Sequence, residues 1–130
     1  MNGIKGLLAI LTIGLGLNAE LVQAQEKDVH DLVPKHGGIV TESNHMEYEL
    51  VIKPDSTELY IRDHGKAVDL SQAKAKLTVL NSGKKTETEL IGGSTMLKGE
   101  AVITDGKGFT ALATVEFSGK KKSTVRFKSN

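Results

Sequence analysis

The chain has 130 residues, of which 17 are Lys or Arg and 16 are Asp or Glu, for a formal net charge of +1. That balance excludes the electrostatic footprint of a protein that binds nucleic acid or an anionic membrane surface. There is no Cys, which excludes disulfides, thiol catalysis and thiolate metal sites.

The N-terminus reads as an export signal. Lys5 supplies positive charge, residues 6–17 form an apolar run, and Val22-Gln23-Ala24 places small residues at −3 and −1 of a cleavage site. The run is too short for a bilayer core, which needs about 20 apolar residues. The expectation is a signal peptide over 1–24 and a periplasmic product with no membrane segment after cleavage. Residues 25–35 are polar, carry His30 and end near Pro34, and read as a flexible lead-in. Residues 36–130 remain for a single domain, large enough to bury one core.

Along that domain the pattern has period two. Gly37-Gly38 opens onto a short strand at Ile39-Val40, and Thr41 to Asn44 reads as a turn. From His45 to Lys53, Met46, Tyr48, Leu50 and Ile52 alternate with His45, Glu47, Glu49 and Val51, the signature of a half-buried strand. Pro54-Asp55-Ser56 turns the chain into a second strand over 57–63, which predicts a hairpin. Asp63-His64-Gly65-Lys66 is turn chemistry, and 67–71 a connection. Strands follow at 73–81 and 85–91, with one or two short ones within 95–103. Asp105-Gly106 signals a hairpin. Phe109 to Phe117 alternates cleanly, and Ser123 to Lys128 is the last strand. About seven or eight short strands with no helical period predict an all-β antiparallel fold. Sandwich and barrel both fit, and the expected form is a β-sandwich of immunoglobulin-like architecture.

Catalysis finds no support in the motifs. No serine lies in a nucleophile elbow, and neither a phosphate loop nor a dinucleotide fingerprint is present; the chain reads as a non-enzyme. Acidic pairs at 47/49 and 87/89 fit a solvated sheet face. Metal binding is the better candidate, because imidazole suits Cu and Zn and carboxylate can complete such a site. His45, Glu47 and Glu49 would project from one strand face at steps of about 7 Å. His36 could join from the preceding strand and His64 from the turn after the next one. Met46 is in phase with the core residues and is assigned to the core.

The strings HGGIV (36–40), YELVI (48–52) and LYIRDHGKAVD (59–69) resemble a family of small exported bacterial proteins encoded beside heavy-metal efflux and resistance systems. Similar strings occur in the periplasmic adaptor subunits of heavy-metal RND efflux pumps. The resemblance covers 36 to about 85. It implies a periplasmic accessory protein in copper or zinc homeostasis or resistance, with a metal efflux component as partner. Its matching polar positions are His36, Glu49 and His64, with His45 and Glu47 as neighbours. Two alternatives stand beside it. One is a metal-independent interaction module that docks on an envelope or efflux partner through its edge strands. The other is a purely structural His-Gly-Gly corner, with His36 bonded to backbone near Asp63.

Overall fold

The computed structural model describes residues 32–105, 108–118 and 121–130. The expected signal peptide and residues 25–31 of the lead-in lie outside the described residues. Within them the chain forms nine strands and no helix: β1 (Ile39–Ser43), β2 (Met46–Ile52), β3 (Thr57–Asp63), β4 (Lys66–Ala67), β5 (Lys74–Asn81), β6 (Lys84–Gly92), β7 (Leu97–Gly99), β8 (Phe109–Phe117) and β9 (Lys121–Lys128).

The all-β antiparallel class is therefore observed. The expected pair of facing sheets is replaced by one continuous sheet in the order β1-β2-β3-β7-β6-β5-β8-β9, with β4 paired to β3. The ends of that path, β1 and β9, lie side by side, so the sheet is nearly closed as a barrel. Strands β5, β6 and β7 form a meander, and β8 returns past it to pair with β5. The spatial order 8-5-6-7 is a Greek key. The Gly106 of the expected Asp105-Gly106 hairpin lies outside the described residues, and β7 and β8 are not sheet neighbours. Asp105 instead fastens the crossover to the β5–β6 turn, its amide donating to Asn81 Oδ1 at 3.0 Å and its carboxylate accepting from Asn81 Nδ2 at 3.1 Å.

The alternation explains the layering. Tyr48, Leu50, Leu59, Leu77, Val115 and Phe127 all face the interior and are essentially inaccessible. Each such side chain contributes about 2 kcal/mol of transfer free energy. The Tyr48 hydroxyl finds Ser123 Oγ on β9 at 3.3 Å. Met46 packs against this core, as its phase predicts. Lysines and glutamates of β5, β6 and β8 point outward and pair with one another, as in Lys76–Glu87 at 2.8 Å and Lys74–Glu116 at 3.4 Å. Apolar-in and charged-out is the reverse of a membrane-spanning barrel.

One boundary shift changes a candidate residue. β1 runs on to Ser43, and Ser43 pairs with Met46. The turn is therefore Asn44-His45, not 41–44. His45 does not stand on the β2 face with Glu47 and Glu49.

Candidate functional site

The polar residues of β2 and β3 fall into two clusters. The first is centred on Glu49. Strand alternation sends Glu47, Glu49 and Val51 to the outer face, where Glu49 lies between Val40 of β1 and Tyr60 of β3. An outward carboxylate would ordinarily be solvated. Glu49 is instead wholly buried, because residues 33–38 fold across it as a strap before entering β1.

The strap is held by the carboxylate. Oε2 accepts the backbone N–H of His36 at 2.7 Å and of Gly38 at 3.0 Å. Oε1 accepts the N–H of Lys35 at 3.1 Å and Arg62 Nη1 at 3.2 Å, and meets His36 Nδ1 at 3.1 Å. The two glycines make this path possible. Gly37 takes φ +74°, and a Cβ on Gly38 would stand 2.3 Å from the Leu50 carbonyl oxygen and 2.8 Å from Val51 Cγ2. The His36 ring lies flat on Tyr60, with centroids 3.6 Å apart and planes 4° from parallel.

Arg62 completes the cluster. It sits opposite Glu47 in the ladder, donates from Nε to Glu47 Oε1 at 3.0 Å, and is itself buried. Two carboxylates around one guanidinium repay desolvation that a lone charge could not recover. Burial by itself would push the Glu49 carboxyl up. The N–H donors of Gly38 and His36, the His36 ring and the Lys35 N–H outweigh it and hold the pKa at about 2. Burial likewise would lower Arg62, but Glu47 and Glu49 raise it. An ionised carboxylate offers about four lone-pair sites, and five donors already converge on Glu49. Its acceptor capacity is taken up by the strap and Arg62, which makes it the strap's anchor.

The second cluster lies at the end of β2 and β3. Asn44-His45 joins β1 to β2, and His64-Gly65 joins β3 to β4. In both two-residue turns each central residue has positive φ: 52° and 65° in the first, 52° and 83° in the second. This is the type I′ geometry, whose twist matches that of the flanking strands. Met46 pairs with Asp63, so the two turns stand side by side. The rings of His45 and His64 lie with centroids 6.3 Å apart and planes 10° from parallel. His64 Nδ1 is 2.6 Å from Asp63 Oδ1, and the His64 side chain is 77% exposed.

The structure thus divides the five predicted residues. His36, Glu49 and Glu47 belong to the Glu49–Arg62 cluster; His45 and His64 form the pair at the turns. His64 follows Tyr60, against which His36 lies, by four residues, or roughly 13 Å at the rise of a strand. His36 and His64 are therefore not brought into contact. Nor does His36 bond to backbone near Asp63; its partner is Glu49. Among the described residues no group of three or more His, Asp or Glu side chains is arranged to hold a metal ion.

Arg62 and Tyr60 are not among the predicted site residues, although the signal for Arg62 is present. The Pro54 turn pairs Ile52 with Thr57, and counting back from that pair sets Arg62 opposite Glu47. No family model matches the chain, and no curated protein or solved structure matches it either.

Proposed function

We propose that this chain is an exported accessory protein of heavy-metal homeostasis or resistance, and that it carries Cu(II) or Zn(II) at the His45–His64 pair. The reading rests on one observation: two imidazoles from separate turns stand with centroids 6.3 Å apart. A metal–nitrogen bond of about 2.0–2.1 Å plus a ring radius of about 1.1 Å puts a ligating centroid roughly 3.2 Å from its ion. Two rings on one ion therefore lie within about 6.4 Å of each other, and this pair satisfies that limit. Both side chains are exposed, so small rotations can bring the nitrogens to a bent angle at little cost. Asp63 beside His64 would fix its tautomer, as carboxylates do behind ligating histidines.

A site of two protein ligands binds weakly and exchanges readily, which suits a carrier that hands its ion on. The signal-peptide pattern of residues 1–24 and the resemblance over 36–85 support the export and efflux-system parts of the proposal. Titration calorimetry with Zn(II) and Cu(II) tests it. The expected result is binding that His45→Ala and His64→Ala each abolish and that His36→Ala leaves unchanged. Equal binding by all four proteins would contradict it. Acid should release the ion, because only neutral imidazole ligates.

A second reading, a metal-independent docking module, draws on the seam. β1 and β9 are neighbours, yet no ladder joins them among the described residues. Each presents backbone groups to which a partner strand could add. Retention of an efflux adaptor by the metal-free protein, lost on Val40→Pro in β1, would favour that reading.

A further inference from the structure

The geometry of the two turns points to the partner that completes the coordination sphere: we propose that one metal ion joins two copies of this chain, each supplying His45 and His64. The inference rests on the metal-carrier reading above and adds a partner to it. Zn(II) in closed sites takes four ligands, and Cu(II) takes four in a tetragonal plane. One chain offers two imidazoles here. The remaining carboxylates nearby are committed elsewhere or face outward: Glu47 is engaged by Arg62, and Asp63 is engaged by His64.

The placement of the pair favours a second copy. Both rings stand at the tips of hairpin turns, and Asn44, Asp63, Gly65 and Lys66 around them are all exposed. A protruding tip can meet its own image about a two-fold axis, with the ion on the axis and the same surface used by both partners. Charge around the tip is mixed, with Glu42 and Asp63 beside Lys66, so the tip carries no single-sign patch that would repel its own image. The four metal–nitrogen bonds, rather than a large apolar area, would hold the assembly.

The backbone at the site supports a ligand role for His45. It occupies the second position of a type I′ turn at φ 65°, where Gly is the favoured residue. A β-carbon there is strained, and a strained residue in an exposed turn points to a use for its side chain.

Sedimentation equilibrium of the purified protein, run alongside calorimetry, tests the proposal. With half an equivalent of ZnCl2 per chain the mass should double, and EDTA should restore the monomer. His45→Ala and His64→Ala should each stay monomeric, while His36→Ala should dimerise as the parent does. Binding of one ion per chain with no change in mass would overturn the second copy and leave the carrier reading standing. Loss of the ion in His30→Ala would also overturn it, because the missing ligand would then come from the same chain. No binding at all would overturn both.

Discussion

Glu49 shows what a buried charge does in this fold. It is an outward residue of β2 that the strap covers, and five donors hold it ionised. Its carboxyl titrates near 4.5 in the unfolded chain and at about 2 in the folded one. A depressed folded pKa stabilises the native state in full above pH 4.5, and the gain disappears as pH falls toward 2. The difference corresponds to about 3 kcal/mol. Glu49→Gln removes the charge and leaves Arg62 with Glu47 alone, so a loss of about 3 kcal/mol is expected at pH 7. In urea denaturation the gap between parent and variant should narrow steadily below pH 4.5. A gap that stays constant down to pH 2.5 would show that the charge is not what holds the strap. This residue was only half legible in the sequence. Its position on the outer face follows from alternation with Tyr48 and Leu50. Its burial depends on a strap that approaches from eleven or more residues away, and no local period encodes that approach.

At the scale of elements, the hairpins were well marked and their details less so. Strict alternation located β2, β3, β5, β8 and β9 because each buries one face against the same core. The β1–β2 turn was misplaced because Asn44-His45 is an unusual pair for a type I′ turn. Thr41 to Asn44 looked more turn-like by composition, yet Thr41 pairs with Tyr48 in the ladder. The site shifted with the turn, from a strand face to a strand end. His45→Gly puts the favoured residue at φ 65° and should raise stability by up to about 1 kcal/mol while removing a proposed ligand. Thermal melts that show a higher midpoint, together with lost metal binding, would separate the turn's folding role from its chemical one. A clear drop in stability would mean that the His45 ring supports the fold. Gly38→Ala is the opposite case. Its Cβ would overlap the Leu50 carbonyl, so a loss of about 1–3 kcal/mol is expected, read from the same melts.

At the largest scale, the topology of the described residues leaves one seam. Every strand along the path from β2 to β8 has a ladder on both sides, whereas β1 and β9 have one each. Tyr48 and Ser123 join the two sides through side chains. Amide exchange should therefore be faster for the β1 and β9 groups facing each other than for β5, which is paired to both β6 and β8. Equal protection across the seam would indicate a fully closed barrel. Sandwich and barrel could not be separated from the sequence because both obey the same inward–outward alternation. What separates them is whether the two ends of the sheet meet, and that is decided by the coiling of the whole sheet. The Greek key was hidden for the same reason: β7 is three residues long, and the partner of β8 is a strand nearly thirty residues earlier.

The proposed carrier role puts the ion at the two turns rather than at the His-Gly-Gly corner. The most direct measurement is a proton–carbon NMR titration of the imidazoles with Zn(II). The resonances of His45 and His64 should move together and saturate at one stoichiometry, while those of His36, stacked on Tyr60 and bonded to Glu49, stay in place. A titration in which His36 moves and the pair does not would contradict the claim.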